Sequence, residues 1–299
     1  MKKPTVARPF TRAVAIPSSE PLTREATIGQ NMGLYKSPRL EIVEKFLTKY
    51  GEKQPIPVED MLPVTLMNYG RMEFEEAQTW FEAGEAARGQ DDCPSLIDVG
   101  AGFGPAGLVF GSRQYKVTAI EMQAHIAAVG QRVVTACGLQ NNIHYEVTDV
   151  MAFEPNMPAD TLISVLCLLH VPDKEGVMKK LASLLRAGGR AYIADFYARG
   201  ELSESEQTLL EKEVGCPGLL TREEYIGALK RPGFQIVKFE DVTPEYSTFV
   251  NERLTTYLRQ DKSEQYEELT QFFRAMDTLY RSGNGESSRL GGCRVYLEK

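Results

Sequence analysis

The sequence predicts a doubly wound α/β fold, and three observations carry that prediction. A short apolar run, Leu96-Ile-Asp-Val99, leads directly into glycines at 100, 102 and 104 and then into an apolar helix start at Pro105. Short apolar runs then alternate with helix-period segments from about 91 to 198, the pattern of parallel strands joined by helices. A charged amphipathic stretch, 245 to 284, separates the strand-like Gln235–Asp241 from a last strand-like run, Gly291–Glu298.

The glycine loop is the first element to explain. Glycine at alternate positions lets backbone approach a ligand where any Cβ would clash. In doubly wound sheets ligands bind at the carboxyl ends of the strands. Gly102-x-Gly104-x-x-Gly107 formally satisfies the dinucleotide fingerprint, a weak signal on its own. Three details argue against a phosphate. The loop has no Lys, Ser or Thr to hold one, and Pro105 removes an N–H where an anion needs it. Asp98 sits beside the glycines, and its charge suits a cationic ligand.

Asp98-x-Gly100-x-Gly102-x-Gly104 resembles motif I of the class I S-adenosylmethionine-dependent methyltransferases, whose cofactor carries an ammonium and a sulfonium. The family's further landmarks follow in order. Tyr115–Glu121 reads as a second strand ending in an acid, where the family binds both ribose hydroxyls. Asn142–Val150 reads as a third strand, with Asp149 where the family binds the adenine amino group. Thr161–Leu166 reads as the fourth, and Leu185–Asp195 resembles the helix-Gly-Gly-strand stretch that leads into the fifth. The resemblance covers about residues 90 to 240 and the last strand.

The resemblance implies a Rossmann-like methyltransferase fold: a seven-stranded, mostly parallel sheet with an N-terminal helical cap and a helical lid inserted before the last strand. It implies S-adenosyl-L-methionine as cofactor, held by Asp98, Gly100, Ala101, Gly102, Gly104, Glu121, Met122, Asp149, Val150 and Leu166. Two other classes stay open: a nicotinamide-dependent oxidoreductase, and a binding module that keeps the fold without turnover. In the first, Asp98 and Asp149 have no evident task.

Composition narrows the partners. Forty-two per cent apolar and 25% charged residues are ordinary for a globular chain of 299 residues. The net charge of −7 argues against nucleic acid, which needs a clustered basic face, and favours a small acceptor. Five cysteines, odd in number and without metal spacing, read as free thiols in a reducing compartment. No apolar run approaches the roughly 20 residues that cross a bilayer, and Thr5-Val-Ala-Arg-Pro9 interrupts any signal-peptide core. The expectation is a cytoplasmic enzyme without membrane contact.

Taken in order, residues 1–20 carry Pro4, Pro9 and Pro17 and read as a mobile arm. Residues 21–90 form the helical cap. Leu40, Val43, Phe46 and Leu47 recur at helix spacing behind Ser37-Pro38, Pro55-Ile-Pro57 reads as a linker, and a second helix carries Phe74, Ala77, Trp80 and Phe81. Residues 91–299 form the cofactor-binding domain. After Glu121 a helix carries Ile126, Val129, Val133 and Val134. An acidic helical insertion occupies about 199–220. Thr221-Arg-Glu-Glu224 is a capping box for a helix that Pro232-Gly233 stops. A second insertion, about 245–290, is the lid, with Phe249, Leu254, Tyr257, Leu258, Phe272, Phe273, Met276 and Leu279 as its buried stripe. The arm and the lid could both serve a homodimer.

Methyl transfer is an in-line displacement in which the protein mainly holds the acceptor lone pair opposite the leaving sulfur. His170, directly after the fourth strand, is the candidate base, matching a functional His in a similar stretch of the phosphoethanolamine methyltransferases. His125 and His144 read as structural. Asn31-Met-Gly-Leu-Tyr35 resembles half of a motif of the sarcosine/dimethylglycine methyltransferases. Tyr35, Tyr69, Arg71, Phe196 and Tyr197 are the candidate acceptor residues: aromatic faces for a cationic product and an arginine for a carboxylate. Leu166 and Gly215-Cys-Pro-Gly218 stand where the phosphobase enzymes carry an Asp and phosphate-holding Arg and Tyr. The expected acceptor is therefore a small amine or amino acid without phosphate. A thioether or thiol, such as methionine, is the rival.

Overall fold

A computed structural model describes residues 37–50, 55–65, 71–88, 93–259, 264–281 and 288–299. Its centre is a seven-stranded sheet formed by β1 (Ser95–Val99), β2 (Lys116–Glu121), β3 (Ile143–Val147), β4 (Ala159–Val165), β5 (Leu185–Ala198), β6 (Gln235–Asp241) and β7 (Leu290–Glu298). The order across the sheet is β3-β2-β1-β4-β5-β7-β6. The first five strands are parallel, and β7 runs antiparallel between β5 and β6. The chain leaves β1 on one side and returns to β4 on the other, so the switch point lies at the carboxyl end of β1.

Helices cover both faces. On one pack α1 (Ser37–Tyr50), α2 (Val58–Thr65), α3 (Arg71–Arg88), α4 (Pro105–Gly111) and α5 (Ala124–Ala136), around Phe81, Phe110, Ile126 and Tyr192. On the other lie α6 (Lys174–Leu184) and α8 (Arg222–Lys230), around Leu162, Leu181, Tyr225 and Val295. A third apolar cluster joins α7 (Glu204–Leu209) and the wider turn after it to the lid helices α9 (Thr243–Arg259) and α10 (Glu264–Arg281). No helix of the described residues is long and apolar enough to cross a membrane.

Most expected elements are present, with instructive differences. The third strand ends at Val147, so Asp149 lies in the following loop. There is no helix-Gly-Gly break before the fifth strand. β5 runs through Gly188-Gly189, with Gly188 at φ +72 and a register shift opposite Ala159/Thr161. That strand also extends past Asp195 to Ala198. α2 is an additional helix after the linker, masked in the sequence by Pro63 within it. Leu258 is not part of the lid's buried stripe: it is 55% exposed, and Tyr246 and Val250 are buried on that helix instead. Trp80 and Phe81 pack α3 on the sheet. Phe81 is fully buried, and Trp80 donates Nε1–H to the Ala191 carbonyl at 3.1 Å beneath the Arg190 guanidinium.

One buried ion pair ties these layers together. Arg294 on β7 donates to Glu73 of α3 at 2.9 Å and to Glu245 of α9 at 2.8 Å. Glu73 is fully buried and also accepts from the Tyr192 hydroxyl. The guanidinium's planar fork grips Glu73 through two nitrogens and still has an N–H for Glu245.

Candidate functional site

The loop after β1 is shaped by its three glycines. Gly100, Gly102 and Gly104 all have positive φ (78°, 54° and 87°). The amides of Gly100 and Ala101 donate to the Ile120 carbonyl, both at 3.0 Å, which fixes the loop against the end of β2. A Cβ at Gly100 would collide with Cys167, and one at Gly104 would lie 2.6 Å from the Tyr145 hydroxyl. At Gly102 a Cβ would meet nothing within 4 Å: the backbone there faces open space.

Three buried polar side chains surround this loop. Glu121, at the end of β2, accepts from the Gly102 amide at 3.0 Å and the Gln123 amide at 2.9 Å. Burial raises its carboxyl above the usual range, and those amides pull it back. Asp98 is 4% exposed, and its Oδ2 has no hydrogen-bond partner. Burial first, and the Glu121 charge second, push Asp98 up to about 7. A buried carboxylate without a partner is costly, and a cation beside it removes that cost. Tyr145 of β3 donates to the Gly102 carbonyl at 3.0 Å, and its hydroxyl also packs where Gly130 of α5 lacks a side chain. The sequence reading missed Tyr145. Its signal was Gly130, a glycine on the buried face of an otherwise regular helix.

The remaining cofactor candidates lie around the same strand ends. Ala101 and Val150 are buried, and Met122 is 37% exposed. Asp149 accepts from the Met151 amide at 2.9 Å. Leu166, at φ +52, ends β4 with its amide on the Ala194 carbonyl and turns the chain so that Cys167 reaches Gly100.

His170 closes the short 3₁₀ turn Leu168–His170. Its Nδ1 lies 3.1 Å from the Gly215 carbonyl. A carbonyl only accepts, so Nδ1 carries the proton and Nε2 the lone pair. Burial pushes this imidazole down to about 4, the Gly215 bond opposes the shift, and the Lys174 charge adds to it. His170 is therefore a neutral hydrogen-bonding group at neutral pH rather than a base poised near 7.

The acceptor candidates are not all brought together. Tyr35 and Tyr69 lie outside the described residues, and Arg71 is described only as the first residue of α3. Phe196 and Tyr197 are neighbours on a strand and face opposite sides. Phe196 packs edge-on to Tyr246 of the lid, whereas Tyr197 packs on Phe239. Tyr197 also lines a cleft of about 720 Å³ beyond the carboxyl end of β5, together with Arg199, Leu210, Cys216 and Arg222. Cys216 follows Gly215, so this cleft and His170 share one stretch of wall.

Residues 69–238 match a family model described as a methyltransferase domain. The methyltransferase GfsG of Streptomyces halstedii is 25% identical over 155 residues, which are 50% of this chain and 56% of that protein. Phosphoethanolamine N-methyltransferase 3 of Arabidopsis thaliana is 23% identical over 199 residues, 64% of this chain and 40% of that one. The chain thus spans about half the length of these relatives. Among solved structures, phosphoethanolamine N-methyltransferase 2 of Haemonchus contortus, in complex with phosphomonomethylethanolamine and S-adenosylhomocysteine, superposes with a TM-score of 0.64. That likeness holds at 19% identity and covers 78% of this chain and 54% of that one.

Proposed function

The chain belongs to the methyltransferase-domain family, and from that premise we propose that it moves a methyl group from S-adenosyl-L-methionine to the nitrogen of a small amine or amino acid. The observation that carries the cofactor is Asp98: a buried carboxylate with an unpartnered oxygen beside backbone that is open at Gly102. That site fits a ligand with an ammonium and no phosphate. It fits a nicotinamide dinucleotide poorly, because the pyrophosphate would meet Asp98 and Glu121, so the oxidoreductase alternative is set aside.

In this reading the cofactor, when bound, supplies a methyl group activated on a sulfonium. Asp98 receives the ammonium. Glu121 keeps lone pairs for the ribose hydroxyls while its two oxygens hold the loop amides. Asp149, Val150 and Met122 would hold the adenine, and Leu166 and Cys167 would floor the site toward the acceptor. His170 offers its Nε2 lone pair to an acceptor N–H and so aims the nitrogen's own lone pair. The acceptor arrives as the neutral amine, and after transfer its extra proton passes to water, because an imidazole with a pKa near 4 does not retain it. Phe196 and, outside the described residues, Tyr35 and Tyr69 are the proposed aromatic walls, with Arg71 as the carboxylate partner; Tyr197, on the opposite face of β5, is left out of that set. The free cysteines suit a reducing compartment, and the reading places the enzyme in the cytoplasm.

The same weakly basic His170 favours one second reading. A thioether or thiolate acceptor needs no proton removed, so S-methylation is compatible with this imidazole. The deciding experiment incubates the chain with S-adenosylmethionine and a panel of amines, amino acids and thioethers and reads products by mass spectrometry. A gain of one methyl on an amine supports the first reading, and a sulfonium product replaces it with the second. No methylated product from any member contradicts both.

A further inference from the structure

Lys174 is an unusual first residue for a helix. A cation at a helix N-terminus opposes the helix dipole, and this one is also partly buried, which lowers its pKa. Neither feature helps α6, whose N-cap is already supplied by Asp173 accepting from the Gly176 amide. The side chain instead reaches back along the chain. Its ammonium donates to the Leu168 carbonyl at 2.8 Å and to the Leu169 carbonyl at 2.7 Å. Those are the two residues that precede His170.

The other side of the same turn faces β5. Asp195, 2% exposed, accepts from the Tyr225 hydroxyl at 3.0 Å and is the carboxylate whose charge supports the Lys174 ammonium. Leu168 and Leu169 are therefore both held at their carbonyls by an ammonium that Asp195 balances. With the peptide units on both sides fixed, His170 keeps only its side-chain torsions, and the Gly215 carbonyl takes up its Nδ1–H. Gly215 can present that carbonyl because it stands at φ +71, where it ends the turn after α7. The charged and titratable groups around the ammonium are Asp195, Cys167 and Cys216, from three different segments.

We propose that Lys174 and Asp195 are positioning residues for His170: the Lys174 ammonium, balanced by Asp195, clamps the peptide units on both sides of Leu169 and so fixes the imidazole in one tautomer, with Nδ1–H on Gly215 and the lone pair on Nε2. This rests on the reading of His170 as the acceptor-orienting group, but its test does not require turnover. The chain has three histidines, so long-range proton–nitrogen correlation spectra can separate the His170 ring from His125 and His144. In the parent chain His170 is expected to show a single Nδ1–H tautomer with no titration between pH 5.5 and 8. In Lys174→Met the tautomers are expected to mix and the midpoint to rise by about one unit or more. Lys174→Arg, which keeps the charge and the donors, is expected to restore the parent spectrum. Affinity for S-adenosylhomocysteine, read at the glycine loop, should stay within about twofold in all variants, reporting that the fold persists. If Lys174→Met does not fold, Asp195→Asn is read in the same way. A His170 spectrum in either variant identical to the parent's overturns the proposal. A His170→Ala variant with full turnover would instead remove the role of His170 and leave the clamp to be judged by the spectra.

Discussion

At the scale of single residues the cofactor site is a trade of stability for binding. Asp98 has a folded-state pKa of about 7, raised from an unfolded value of 3.8. Between those values the folded chain holds a proton that the unfolded chain has lost, so this group's contribution to stability falls as pH rises through the window. Asp98→Asn should therefore raise the melting temperature of the cofactor-free chain at pH 7.5 while lowering its affinity for S-adenosylhomocysteine by at least tenfold. A variant that melts lower than the parent and binds as well would contradict that assignment. Gly100→Ala forces a side chain onto a φ of +78 and against Cys167. Strain of this kind costs about 1–3 kcal/mol. Denaturant titration should show at least that loss, and cofactor binding should fail with it. Asp98 and the glycines were legible in the sequence because motif and chemistry coincide within seven residues. Tyr145 and Asp195 were not, because each acts on a loop that only the sheet brings near.

At the scale of elements, the alternation of apolar runs and helical periods located every strand; the inner strands β1, β4 and β5 are buried on two faces and leave a continuous apolar signature. The misread elements had local signals that tertiary pairing overrode. Gly188-Gly189 looked like a break, yet strand β5 passes through it: Leu185 pairs with Ala159, pairing with β4 resumes at Arg190, and the glycines take up the register shift between. Leu258 fits the lid's apolar stripe by spacing but lies off the packed face. The Glu73–Arg294–Glu245 pairing spans more than 200 residues and has no local pattern at all. Its two arms should differ. Removing a partner from a buried ion pair costs about 3–5 kcal/mol, so Glu73→Ala should lose that much in urea titration. Glu245 is 47% exposed and should lose under about 1 kcal/mol on the same change. Equal losses would mean that the lid's anchor is as buried as the cap's. Thr221, which caps α8 with the Glu224 amide, should cost about 1 kcal/mol when changed to Ala.

At the scale of the whole molecule, the sheet sets where chemistry occurs. The carboxyl ends of β1, β2 and β4 carry Asp98, Glu121 and the turn to His170, and the cap and lid are fastened to β5 and β7 beside them. A ligand bound at that edge stabilises the entire chain, by about 2.7 kcal/mol at a hundred times its dissociation constant. Thermal unfolding with S-adenosylhomocysteine should therefore shift upward as one cooperative step. What the sequence left open was the acceptor. The residues proposed for it are divided among the cap, β5 and the stretch after Gly215, and no short motif contains them.

The central claim is that a buried, protonatable Asp98 receives the cofactor's ammonium. Calorimetric titration of S-adenosylhomocysteine from pH 5.5 to 8.5, in buffers of different ionisation heat, tests it most directly. The account predicts binding that is flat above about pH 7 and weakens up to tenfold per unit below it, with up to one proton released by the protein on binding. Binding with no pH dependence and no proton release would contradict it, as would NADH binding in place of the nucleoside.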